Sequence, residues 1–260
     1  MLTSTGLAQS KAGTRPVFKD TIPRSFDRPG VADYPFLVAP RSLQTEFGFS
    51  YSPKFGISET WFPSVLLRYS PHHRAELRFA LNYEPSSIRY IRNNIKQNQD
   101  AGAIGTKIRI MNARRARPAM SVGVNVVYPL QKLRDPQIGL LQTEVVLHFM
   151  NNIGPFGINY NVSYWWGGNQ MRHTLQYAAC FSYTVKQWEP FAEVFGYGTQ
   201  AGFEPGFDIG LTYCPRPRFQ IDISYMRLFS GNEYADVIAA GFSFNIDFDR
   251  FKKEKDPEED

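Results

Sequence analysis

Between Phe156 and Trp166 the chain alternates with a period of two. Phe156, Ile158, Tyr160, Val162, Tyr164 and Trp166 are large and apolar; Gly157, Asn159, Asn161 and Ser163 between them are small or polar, and Trp165 alone departs. Successive strand residues point to opposite faces, so this run makes one greasy and one polar face. A helix would scatter the same residues around its circumference. The pattern returns in twelve segments, at about 42–52, 58–70, 75–85, 103–112, 117–129, 142–151, 156–167, 173–185, 188–198, 203–214, 218–229 and 234–248. The least regular is 188–198, where Glu193 shares parity with Phe191 and Phe195; a bulge or an inward-pointing aromatic would explain it.

Connections between the segments also alternate. Short ones, such as Pro71–Arg74, Asn152–Pro155 and Lys186–Gln187, follow the even-numbered segments, and the longest, Ser86–Gly102 and Leu130–Leu141, follow odd-numbered ones. An even number of antiparallel strands with tight turns at one end and longer loops at the other predicts an all-β chain, a single antiparallel up-and-down transmembrane β-barrel of about 12 strands. A soluble, lipocalin-like barrel alternates too, with its apolar face inward. Three features favour the inverted arrangement. Twelve strands of Phe, Tyr, Val, Ile and Leu would overfill a closed interior. The polar face carries Gly, Ser, Asn and Thr more than the Lys and Glu of a solvated surface. Tyr and Trp gather near segment ends (Tyr51, Trp61, Tyr69, Tyr83, Tyr128, Trp166, Tyr183, Tyr213, Tyr225), where interfacial girdles lie. Hydrocarbon leaves no backbone group unpaired, so the last strand, Gly241–Phe248, must close on the first, Ser42–Ser52.

Composition narrows the alternatives. Aromatics at 15% exclude a disordered chain. No run of 18 apolar residues is present, which excludes a helical membrane bundle. Two cysteines exclude a disulfide scaffold. Cys180 and Cys214 fall on nonadjacent strands, beyond disulfide reach, and are expected to be free thiols. The net charge of +5 brings no nucleic-acid motif with it; Arg114, Arg115 and Arg117 share a tight turn suited to lipid phosphate or solvent. Outside the barrel segment 42–248, residues 1–13 are small and polar around Ala8-Gln9, as at the cleavage end of a signal peptide, and are read either as its remnant or as a polar N-terminus. Residues 14–41 hold Pro16, Pro23, Pro29, Pro35 and Pro40, too many for a helix or central strand. Residues 249–260 form a charged tail.

With the polar face as lumen, Glu46, Arg68, Glu76, Arg78, Glu84, Lys107, Arg109, Glu144, His148, Asp208 and Asp222 are the lumen-lining candidates. Acids and bases on neighbouring strands are expected to pair and leave little net selectivity. They either brace the interior or form a polar constriction that orients a solute. Eight strands leave an interior filled by side chains and sixteen a wide channel, so twelve leave a narrow bore. Part of Thr14–Arg41 is therefore expected to pack into or under the barrel as a partial plug. No catalytic, metal or cofactor site is expected. His72 and His73 share a short turn and, being adjacent, should point apart; His148 has lumen parity and His173 opens a strand, with no Ser at triad-like spacing on an outward face.

The stretch Phe26-Asp-Arg-Pro-Gly-Val-Ala-Asp-Tyr-Pro-Phe-Leu-Val-Ala-Pro-Arg-Ser-Leu-Gln-Thr-Glu-Phe-Gly-Phe49 resembles the opening segment of a bacterial outer-membrane transporter family named "putative MetA-pathway of phenol degradation". That family opens with a similar Asp-Arg-Pro element, then a Pro and an acidic-aromatic first strand. Leu67-Arg68-Tyr69, Glu76-Leu77-Arg78, Gly105-Thr106-Lys107, Glu193–Tyr197 and Gly241-Phe-Ser-Phe carry further likeness, over residues 26–248. Ser86–Gly102 departs in being longer and more basic. The resemblance implies an outer-membrane location in a Gram-negative bacterium, contact with outer-membrane lipid, and passage of small molecules, hydrophobic or aromatic ones among them. The alternative is a non-conducting barrel that serves as a structural or accessory subunit of an envelope complex, docked through loop 86–102.

Overall fold

A computed structural model describes residues 26–51, 62–81, 101–114, 116–129, 141–167, 173–199 and 202–248. The strands are β1 (Ser42–Tyr51), β2 (Phe62–His72), β3 (Ala75–Leu81), β4 (Ala101–Met111), β5 (Ala119–Pro129), β6 (Gln142–Ile153), β7 (Phe156–Gly167), β8 (Thr174–Tyr183), β9 (Trp188–Thr199), β10 (Gly202–Arg216), β11 (Phe219–Ser230) and β12 (Glu233–Asp247). Each pairs antiparallel with its sequence neighbours, and β1 pairs with β12 from Ser42↔Asp247 to Tyr51↔Ile238, which closes the barrel. No sheet edge is left for lipid to meet. Register shifts lie between Tyr69 and His72, Arg109 and Met111, and Tyr213 and Arg216, each beside a short turn.

Outward residues are those of the greasy parity. Val162 is 44% exposed and Ile223 54%, and they belong to a belt of exposed apolar side chains that runs from strand to strand, such as Leu77, Ile104, Val124, Leu175 and Ile209. Aromatic pairs mark both rims. Phe156–Tyr183 and Trp188–Tyr213 lie at the short-turn end, 4.9 Å and 4.3 Å between centroids. Tyr164–Trp166 and Tyr177–Phe203 lie toward the other. This is the lipid-facing surface of an outer-membrane barrel.

The interior is less uniform than the alternation suggests. Trp165 points inward and is buried against Ala80, Ala101, Ala103 and Val127. Its indole N–H is within reach of the Ser163 hydroxyl (3.1 Å) and Gln176 Oε1 (3.2 Å). Phe191, Phe195 and Tyr197 also face inward, with Ala178, Cys180, Leu228 and Ala32. The irregularity of β9 therefore comes from inward aromatics; its ladders to β8 and β10 run without a register shift. The connection expected over 86–102 is shorter at its end. Ala101 and Gly102 belong to β4, because these small residues pair with Pro129 and Tyr128 beneath Trp165. Cys180 and Cys214 are buried free thiols.

Candidate functional site

Strand parity puts a set of charged side chains into the bore, and residues 26–41 run among them. The chain leaves β1 at Arg41, whose φ of 57° turns it inward; Arg41 N–H donates to Ser70 O (2.7 Å) and its carbonyl accepts from Phe248 N–H (3.2 Å). Val38 N–H donates to Glu76 (2.8 Å), and the Phe36 carbonyl accepts from Arg68 (2.9 Å). Further round the wall, the Asp33 and Ala32 carbonyls accept from Asn161 and Asn159 (both 3.0 Å). The Val31 and Ala32 amides donate to Glu193 (2.7 and 2.6 Å). Arg28 then crosses to Asp222 (3.1 Å), while its own amide donates to Glu46 (3.0 Å).

Asp27 ties this circuit together. One carboxylate oxygen accepts the Tyr34 amide (3.1 Å), which closes residues 27–34 into a loop. The other meets Arg78 (2.6 Å), Lys107 (3.0 Å) and Arg68 (3.3 Å). Burial alone would push this carboxyl up; the opposing cations Arg68, Lys107 and Arg78 outweigh it and hold it well below the usual carboxylate range. Arg68 in turn pairs with Glu76 (2.8 Å) and Glu46 (3.2 Å), and Arg78 with Asp33 (2.9 Å), so three strand cations and four acids share one network.

Two glycines make room for Arg28. A Cβ on Gly48 of β1 would strike its guanidinium and come within 2.7 Å of the Ser64 hydroxyl. A Cβ on Gly241 of β12, the register partner of Gly48, would meet Arg28 and the Phe47 carbonyl.

The sequence candidates fall into groups. Glu46, Arg68, Glu76, Arg78 and Lys107 converge on the Asp27 network, and Asp222 holds Arg28. Glu144 is buried across the bore and accepts from Asn125 (2.7 Å). His148 is buried with Nδ1 at 2.8 Å from Asn161 Nδ2. Arg109 is half-buried near the short-turn end. Asp208 is fully buried away from the network, and Glu84 lies outside the described residues. Sequence reasoning missed Asp27, Arg28, Glu189, Glu193 and Glu204. The strand carboxylates among them carried inward parity, and the Asp-Arg-Pro element was already in view; the signal was a charge pair inside a proline-rich segment, facing strands with charges to match.

Two further expectations are corrected. Pairing is uneven around the bore: Glu193 and Glu204 add buried acids on β9 and β10, held by the Val31 and Ala32 amides and by the Ser230 hydroxyl. His72 and His73 do not point apart; their rings lie 3.9 Å apart at the exposed turn, where the β2–β3 ladder shifts register between Tyr69 and His72. Among the described residues no group of three His, Cys, Asp or Glu side chains could hold a metal.

A twelve-stranded closed barrel, apolar outside and charged within, is an outer-membrane barrel of the porin type. The KdgM porin shares the fold at a TM-score of 0.57 and 7% identity, over 77% of this chain and 98% of that one. The NanC porin does so at 0.54 and 10%, over 78% and 98%. No curated protein matches the chain. The chain belongs to the family described as "Putative MetA-pathway of phenol degradation", whose model matches residues 26–246. The match takes in residues 26–41 together with the barrel strands.

Proposed function

We propose that the protein passes small molecules, hydrophobic or aromatic ones among them, across the outer membrane, and that residues 26–41 act as a plug over a narrow bore. The observation that carries this reading is how the segment is held. Glu46, Glu76, Glu193 and Asp222 grip it by backbone amides and one guanidinium. Such buried ionic contacts add little net stability compared with apolar packing, so a barrel needing only rigidity gains nothing from them. A removable stopper does, because each contact can be exchanged for water or a passing solute. Phe191, Phe195, Tyr197 and Trp165 give the bore apolar walls suited to a hydrophobic solute.

One observation favours the accessory reading. Inward side chains are buried toward both ends of the barrel, from Gln220 near the short turns to Tyr197 and Leu228 near the other end, which supports a bore with little open space. Single-channel recording separates the two. The wild type is expected to be mostly silent in planar bilayers, and Asp27→Ala combined with Arg28→Ala is expected to conduct. A double variant that folds and inserts yet stays silent would leave the non-conducting subunit as the answer.

A further inference from the structure

On the β9–β10 wall the acids outnumber their partners. The inward residues of β10 run Glu204, Gly206, Asp208, Gly210. Asp208 is fully buried, and neither of its carboxylate oxygens has a hydrogen-bond partner; the Ser224 hydroxyl and the Ile209 amide face it without closing a bond of good geometry. Its register partner on β9 is another acid, Glu193, already occupied by the Val31 and Ala32 amides. Glu204, two inward positions along, gives one oxygen to the Ser230 hydroxyl (2.7 Å) and leaves the other without a partner. A buried carboxylate with nothing to bind is costly, and such a group calls for an explanation.

Aromatic rings frame these acids. The Phe195 ring fills the space over Gly206, between Glu204 and Asp208, and the Phe191 ring fills the space over Gly210 on the other side. Tyr197 stands edge-on to Phe195, centroids 5.9 Å apart. Above the short turns, no inward-facing described residue of β8–β11 is Lys or Arg. The cation that reaches this wall belongs to the segment: Arg28 sits on Asp222, near the short-turn end of the same wall.

We propose that Glu204 and Asp208, framed by Phe195 and Phe191, form a binding track for small organic cations, a protonated amine carried on an apolar or aromatic body. The ammonium is drawn to the carboxylates and again to the ring faces, and the body replaces water against Phe191, Phe195 and Leu228. An anion of the same size finds no strand cation on this wall to receive it among the described residues. Arg28 shows the same chemistry, a cation with a carbon stem seated on an acid of this wall. The track names the solute class for the transport reading and rests on that reading for its role, though the site itself is read out by binding.

The test is calorimetric titration of the full chain in neutral detergent with phenethylammonium chloride, and with sodium phenylacetate as the size-matched anion. The ammonium is expected to bind and the acetate not. Asp208→Asn is expected to weaken binding about tenfold or more, and Phe195→Leu, which keeps both carboxylates, about threefold. Folding of each variant is followed by its heat-dependent migration. Equal affinity for both ions, unchanged affinity in folded Asp208→Asn, or displacement by potassium at equal concentration overturns the proposal; the last would mean inorganic cations serve as well. Liposome swelling separates the site from the transport reading. Binding without flux in the opened Asp27→Ala, Arg28→Ala barrel sinks transport and keeps the site. Flux of both ions at one rate without binding sinks the site and keeps transport.

Discussion

Asp27 concentrates the interior electrostatics on one side chain. Its carboxylate is shared by Arg68, Arg78 and Lys107, so Asp27→Asn removes one counter-charge from three buried cations at once. Breaking a buried pair of this kind costs about 3–5 kcal/mol. Because the native carboxyl is held below its unfolded value, its contribution is fully present above the unfolded value, about 3.9, and is lost as pH falls toward the native one. The stability gap between wild type and Asp27→Asn, from denaturant titrations in micelles, is expected to stay constant from pH 8 to about 5 and to shrink below about 4. A gap that changes between pH 8 and 5 would place the controlling charge elsewhere. This keystone was not legible in the sequence. The parity of β2 to β4 announced Arg68, Arg78 and Lys107, but Asp27 lies 80 positions from Lys107 in a segment without periodicity, so no local pattern ties it to them.

Among the elements, β1 and β12 join the wall to the segment through their glycines. Gly48→Ala meets the far end of the flexible Arg28 side chain, whereas Gly241→Ala also meets the Phe47 backbone carbonyl across the seam. Gly48→Ala is therefore expected to displace Arg28 from Asp222 and to speed amide exchange at Val31 and Ala32 while barrel stability changes little. Gly241→Ala is expected to lower barrel stability as well. Exchange mass spectrometry beside thermal unfolding reads both; the same effect from the two variants would refute the distinction. Strand positions were legible in the sequence because lipid and lumen each act on every second residue. An inward aromatic was one of the two readings that β9 offered; what Trp165 and the β9 aromatics pack against was not legible. They keep inward parity but are apolar on a face that is otherwise polar, and they pack against Ala101, Val127, Ala32 and Leu228, contacts made across the bore or around the wall that a period-two reading does not contain.

At the scale of the whole molecule, the exposed apolar belt sets where the barrel sits. Val162 lies mid-strand in β7 with its side chain outward, and Phe156 opens the same strand at the short-turn rim. A lysine at the bilayer midplane costs about 2–4 kcal/mol, and near the interface about 0–1. Val162→Lys is thus expected to impair folding into lipid vesicles far more than Phe156→Lys, as measured by equilibrium denaturation. Equal effects would mean the belt is not centred on β7. Closure could be foreseen from an even number of alternating runs, but the acid surplus within could not. Glu193 read as a parity exception, and Glu204 stood beside Pro205 at the margin of a run.

Arg28 lies over Gly48 and Gly241, one glycine from each side of the β1–β12 junction. The slot that receives it comes into being when the first and last strands zip together. Sealing and completion of the cylinder are thereby expected to be a single event, so that a newly inserted molecule reaches the cell surface already watertight and never passes through a leaky stage.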